Sequence, residues 1–214
     1  MAIFRQGDNS CYFIHIPRTA GRYVSALFEN TSNVECKHHK INTEWISGYD
    51  ITHLHYPLYE QFLGVQNIPH IAVVRNPLNK IISAVKIMHY DEPDYDHDKA
   101  LSGDFFQEFM RRQLNNHSRR NNWFLPQHQF LSPKTHYWKY EWGFGKKFKR
   151  WVYDKTGIEI KPQEVTYTSI SPIEVKTQKT SIYNLSRRSK KNIKEFYKKD
   201  YQQLKYDGWL FYYK

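Results

Sequence analysis

Cysteine is nearly missing from this chain: Cys11 and Cys36 are the two among 214 residues, too few for a disulfide framework or a zinc site of their own. They read as reduced packing residues of a cytosolic protein. No apolar run approaches the ~18–20 residues that cross a bilayer, and the opening MAIFRQGDNS holds no apolar stretch of signal-peptide length. Glycine and proline stand at 9 each and are scattered, with no repeat and no low-complexity linker, which excludes collagen-like and linker-rich chains. Acidic residues are outnumbered, 21 against 32 Lys and Arg, for a net +11 and a pI near 9.5. Such a surplus points to an anionic partner: nucleic acid, an acidic polysaccharide, a membrane surface or a phosphorylated cofactor. Aromatic residues are what the chain has in quantity. With 17 Tyr, 13 Phe and 6 Trp inside a 40% hydrophobic fraction, it can build one core and one domain of ordinary to large size.

The first third alternates strand and helix signals. Cys11 to Ile16 (CYFIHI) is a short apolar run ended by Pro17, which reads as a buried strand. Val24, Leu27 and Phe28 then recur at helical spacing between Gly21 and Asn30. Asp50 to His53 is a weaker strand candidate and Pro57 to Leu63 a short helix. His70 to Val74 (HIAVV) is the second strong strand. It is followed by Asn76 as N-cap and Pro77 at the first helical position, with a stripe of Leu78, Ile81, Ile82, Val85 and Met88. A polar helix is expected over Ala100 to Asn115, an irregular aromatic stretch over Asn116 to Tyr140, and a helix over Phe144 to Lys155 that ends at Gly157. Ser186 reads as the N-cap of a basic helix from Arg187 to Lys199. This pattern predicts an α/β domain with a central, mainly parallel sheet flanked by helices and a helical C-terminal part. Ligands of such sheets sit at the carboxyl ends of strands, so the loops after Ile16 and Val74 are where chemistry is sought.

After Ile16 come Pro17, Arg18, Thr19, Ala20, Gly21, Arg22 and Tyr23. Small residues at a strand-to-helix turn let backbone N–H groups approach an anion, with the helix dipole and the Thr19 hydroxyl in support and the Arg18 and Arg22 cations beside them. The Gly-x4-Gly-Lys-Ser/Thr loop of nucleoside triphosphatases is absent. A plain strand–helix turn with two surface arginines is the alternative. After Val74, Arg75 closes the strand and Ser83 lies about two helical turns on, a guanidinium and a hydroxyl suited to gripping a phosphate. Here the alternative is a capped helix start whose arginine pairs with a carboxylate.

Together HIPRTAGRYVSALF and AVVRNPLNKIISAV, about 57 residues apart, resemble the paired signature of sulfotransferases that use 3′-phosphoadenosine 5′-phosphosulfate (PAPS). The likeness is greatest to the carbohydrate-directed branch, the heparan sulfate 2-O- and 6-O-sulfotransferases and their bacterial relatives. In that family an IPKTGG-like loop binds the 5′-phosphosulfate and a VRNPxxRxxSA-like strand–helix binds the 3′-phosphate. LSRRSKKNIKEFYKKDYQQLKYDG is similar to the family's closing helix. The resemblance implies one sulfotransferase domain over residues 1–214 with a phosphate-loop-like fold. Residues 11–90 would form its donor-binding core, 95–170 a variable acceptor region and 176–208 a nucleotide-covering loop and helix. By position, Lys179 and Thr180 are the candidates from that loop. Arg18 stands where the family places lysine. It can stabilise charge on the leaving phosphate but cannot readily deliver a proton.

Sulfuryl transfer to a hydroxyl needs a base, and histidine suits that task near neutrality. His53 and His55 form a His-x-His in ITHLHYPLYEQF, similar to the one found at that point in the 2-O-sulfotransferases. His55 is the favoured base, with His53 as second choice or orienting partner; the alternative is that one of the two packs in the core and the other is solvated. No metal site is expected, because no acidic or Cys ligand stands at a telling spacing. His15 reads as a satisfied buried side chain within the first strand, and His38 and His39 as surface residues of a polar loop. The cations from Arg187 to Lys199 read as a solvated face or a docking surface for an anionic acceptor. Trp123, Tyr137, Trp138 and Trp142 read as core or as stacking surfaces for a sugar or adenine.

The resulting expectation is an enzyme that moves a sulfuryl group from PAPS to a hydroxyl, with a glycan as acceptor and neither nucleic acid nor membrane as partner. Animal relatives of the branch carry an N-terminal membrane anchor, and its absence from this chain leads to the expectation of a cytoplasmic protein of bacterial or viral origin. The rival expectations are another nucleotide-dependent transferase of kinase type, and a basic nucleic-acid-binding module without activity.

Overall fold

The structure, a computed structural model, describes residues 2–38, 45–46, 49–88, 108–112, 121–161 and 185–206. They belong to two compact units, one built from residues 1–75 and 129–170, the other from 76–128 and 171–214.

The first unit holds a five-stranded mixed sheet. Strands β1 (Ala2–Gln6) and β2 (Asn9–Ile14) form a hairpin in which Gln6 faces Asn9. Gly7, at φ 57, takes the left-handed position that so short a loop demands. Strand β3 (Glu35–His38) pairs antiparallel with β1, and β4 (Trp45–Ile46) with β5 (Tyr49–Asp50) makes a separate small ribbon. Strand β6 (His70–Val74) lies parallel to β2, and β7 (Thr135–Lys139) parallel to β6, giving the order β3-β1-β2-β6-β7. The expectation of a mainly parallel sheet is therefore corrected to a mixed one, because β1 runs against both of its neighbours.

Both faces of this sheet are covered. On one face Phe4, Cys11, Phe13, Ile71 and Val73 pack with Val24, Leu27 and Phe28 of α1 (Gly21–Glu29); the core there also takes in the later helix residues Phe148 and Val152. Phe4 and Phe28 stack at 4.0 Å between ring centroids. On the other face Tyr12 and His70 lie 5.1 and 5.4 Å from the ring of Tyr59 in α2 (Leu58–Leu63). Burial on both sides explains why CYFI and HIAVV are unbroken apolar runs rather than alternating ones. Full burial of one such aromatic contributes on the order of 1.5–3 kcal/mol.

In the second unit, Asn76 caps α3 (Pro77–Met88), its Oδ1 accepting from Leu78 N at 3.0 Å. Ile81, Ile82 and Val85 form the helix's buried stripe. The expected helix over 144–155 is α4 (Lys146–Thr156) of the first unit, stopped by Gly157 at φ 71. Ser186 caps α5 (Arg187–Phe196), accepting from Ser189 N at 3.1 Å.

Four expectations need correction. The first strand starts earlier and stops at Ile14, where Ile16 N turns back to bond Ile14 O at 3.1 Å. Ile51–His53 is a 3-10 turn rather than a strand. The irregular stretch 116–140 contains β7. The last helix breaks at Tyr197, where α6 (Lys198–Gln203) begins. Of the polar helix over 100–115, residues 108–112 are described and are helical.

The helices around the break hold a segment of the second unit in place. Three buried side chains tie down the segment 122–128. Tyr197 donates its hydroxyl to Phe124 O at 2.6 Å. Lys80 donates from Nζ to Trp123 O at 2.7 Å and Leu125 O at 3.1 Å. Asp200, fully buried, accepts from the backbone N–H of Gln127 and His128 at 2.8 and 2.9 Å and from His128 Nδ1 at 2.7 Å.

Candidate functional site

The carboxyl ends of the parallel strands β2, β6 and β7 form one rim, because Ile14 lies beside Ala72 and Val74 beside Lys139. Three loops leave it: 15–20, Arg75, and the 3-10 turn Tyr140–Trp142.

In the first loop, Arg18 and Ala20 both sit in the left-handed region, at φ 67 and 74. Each costs about 1–2 kcal/mol for a residue with a Cβ, a strain that recurs at ligand-holding turns. Between them Thr19 is buried and donates its hydroxyl to Ile16 O at 2.8 Å. Its one hydroxyl hydrogen is committed inside the loop, so Thr19 shapes the turn and keeps only its backbone N–H for an anion. Ala20 is the N-cap of α1 without a side-chain cap, and no acid stands in the first turn. The positive end of this helix is thus left uncompensated by its own residues. Arg22 is exposed and Tyr23 half-buried, with the Tyr23 ring 5.2 Å from Phe144.

Gly21 has a different reason from the one expected. A Cβ there would lie 2.0 Å from His15 Cδ2, so the glycine makes room for a histidine ring rather than only for an approaching ligand. His15 follows β2 instead of lying within it and is partly buried. Burial, reinforced by His53, Arg22 and Arg18, holds its imidazole well below the ordinary histidine range.

Arg75 joins the three loops. Its Nη1 donates to Arg18 O at 3.2 Å, and its guanidinium lies 4.5 Å from the Tyr140 ring centroid. Tyr140 is thus a part of the rim that the sequence reading missed. It follows directly on β7, whose parallel pairing with β6 brings it to this edge. Lys139, buried at the end of β7, places Nζ 5.7 Å from the ring of the exposed Trp142. Trp138 is core, edge-on to Trp142 at 5.0 Å.

His53 ends the 3-10 turn 51–53, is buried, and meets the His15 ring at 5.0 Å and 68°. His55 is half-buried in the loop that follows, and burial lowers its proton affinity. A neutral imidazole near pH 7 is the form that accepts a proton. Its neighbour Tyr56 is fixed by a bond from its N–H to Gln129 O at 3.0 Å. The structure therefore brings together Arg18, Thr19, Ala20, Gly21, Arg22, Tyr23 and Arg75, and sets His53 beside this loop through His15. Ser83 lies half-buried on α3 in the second unit. Lys179 and Thr180 are outside the described residues. His38 belongs to the strand β3 rather than to a loop.

Among the described residues no group of His, Cys, Asp and Glu is arranged to hold a metal ion, and no helix is long and apolar enough to cross a membrane. Cys11 and Cys36 are free thiols; burial pushes the first well above its ordinary value and the second, with Glu29 adding, up to about 11. No protein-family model, curated protein or solved structure matches the chain.

Proposed function

We propose that the chain is a sulfotransferase of the phosphate-loop-like α/β kind, moving the sulfuryl group of PAPS to a hydroxyl, with a carbohydrate as acceptor by resemblance of the motifs. The observation that carries this reading is the bond from Arg75 to Arg18 O at 3.2 Å. It ties the two motif loops together at the carboxyl ends of adjacent parallel strands, where an α/β sheet offers its ligand site.

Residues Thr19 to Tyr23 cradle the 5′-phosphosulfate through backbone N–H groups and the start of α1. Arg75 is assigned to the 3′-phosphate. The acceptor oxygen attacks sulfur in line as the bond from sulfur to the bridging phosphate oxygen breaks. His55 takes the acceptor proton, with His53 beside it. Arg18 offsets the charge gathering on the departing phosphate, and adenosine 3′,5′-bisphosphate and a sulfate ester are the products. Positioning and electrostatics supply most of the acceleration.

A screen of hydroxyl acceptors with labelled PAPS tests the reading. Arg75→Ala and His55→Ala are each expected to lower transfer by about 100-fold or more. Full transfer by both variants overturns the assignment of these residues.

A further inference from the structure

His15 lies where the anion loop, the first turn of α1 and the histidine segment meet, and the reaction described above gives it no task. Its ring is enclosed by aromatic and backbone neighbours. Phe13 stacks on it at 6.2 Å and 23°, and the edge of His53 meets it at 5.0 Å and 68°. Gly21 lies so close that a Cβ would stand 2.0 Å from His15 Cδ2 and 2.1 Å from Nε2. A ring held this way has little freedom to turn by itself, because packed interiors shift between discrete arrangements rather than deform continuously.

We propose that His15 is a positioning residue that couples anion binding in the Arg18–Arg22 loop to the setting of the His53 ring. The proposal rests on the reading of that loop as the phosphosulfate site. Movement of the first turn of α1 toward a bound anion carries Gly21 with it, and Gly21 bears directly on His15. His15 passes the displacement to His53, two residues before His55. Charge acts in the same direction: Arg18 and Arg22 disfavour a proton on His15, and an anion held between them relieves that pressure. A phenyl ring preserves the wedge and a methyl group does not, so size decides whether the coupling survives.

The test is nuclear magnetic resonance of the full chain with labelled histidine rings, titrated with adenosine 3′,5′-bisphosphate and, separately, with inorganic sulfate. The expected result is that the His15 and His53 ring signals move together and saturate at one ligand concentration. In His15→Ala the bisphosphate still binds within about threefold of the original affinity while the His53 response falls to less than half. In His15→Phe that response returns. Saturable binding with a silent His53 ring in the unmodified chain overturns the coupling alone, and so does an unchanged His53 response in His15→Ala. Should the alanine variant fail to fold, the unmodified chain decides. If neither ligand binds, the reading of the loop falls and the coupling falls with it.

Discussion

At the scale of single residues, the rim is built from positions that are costly for folding alone. Arg18 and Ala20 occupy the left-handed region although neither is glycine, while Gly21 is glycine for want of space beside His15. Gly21→Ala forces a methyl group into the imidazole. It is expected to cost roughly 1–3 kcal/mol in urea unfolding, the usual range for overpacking; a cost below about 0.5 kcal/mol means that His15 moves aside freely. In the proposed reaction His55 takes the acceptor's proton, and burial favours its neutral form. The acid limb of kcat/KM is therefore expected to have its midpoint below the unperturbed histidine value of about 6.5. A midpoint above that value, or an acid limb that persists in His55→Ala, assigns the base elsewhere.

At the scale of elements, the pinning of residues 122–128 is the most demanding feature. Asp200 is fully buried and accepts three N–H groups. In Asp200→Asn one of these donors faces an amide NH2 instead of an oxygen, at an expected cost of roughly 1.5–3 kcal/mol by urea unfolding. No measurable loss would show that the segment holds itself without α6. The same contrast explains what the sequence could and could not tell. Asn76 with Pro77, Ser186, Gly157 and the run HIAVV act through bonds to residues within one turn or through unbroken apolarity, and all are legible. Strand β1 and strand β7 were not legible, because AIFRQ and THYWK become strands only by pairing with β2 and β6. The break at Tyr197 is likewise invisible in RRSKKNIKEFYKKDYQQL. The bonds that Tyr197 and Asp200 make there are equally hidden, since their partners lie more than seventy residues away, with separations of 73 and 72 for the Phe124 and His128 bonds. At the site, Arg18, Arg22 and Arg75 were readable as cations in turns, whereas Tyr140 under Arg75 and His15 against Gly21 depend on tertiary packing.

At the scale of the whole molecule, charge and titration bear on stability. His15, His55, His70 and His136 all have lowered proton affinity in the fold, with burial the first cause for each. His70 is held with its Nε2 on Val65 O at 2.8 Å and its Nδ1 on the Ser132 hydroxyl at 3.2 Å; burial lowers its proton affinity although the Val65 carbonyl favours the charged ring. The unfolded chain binds protons at these positions first, so stability is fully present above about pH 6.5 and is lost as pH falls below it. The urea midpoint is expected to fall between about pH 7 and pH 5; a midpoint that rises over that interval contradicts the neutral assignments.

The surplus of +11 now divides. Arg18, Arg22 and Arg75 belong to the rim, while Arg187, Arg188, Lys191, Lys194, Lys198 and Lys199 are exposed along α5 and α6. The central claim concerns the first group, and calorimetric titration with adenosine 3′,5′-bisphosphate in competition with ATP tests it most directly. The account predicts saturable one-to-one binding of the bisphosphate that excess ATP does not displace and that Arg75→Ala weakens roughly 10- to 100-fold. Binding of ATP at equal or greater affinity, or unchanged bisphosphate affinity in Arg75→Ala, would contradict it.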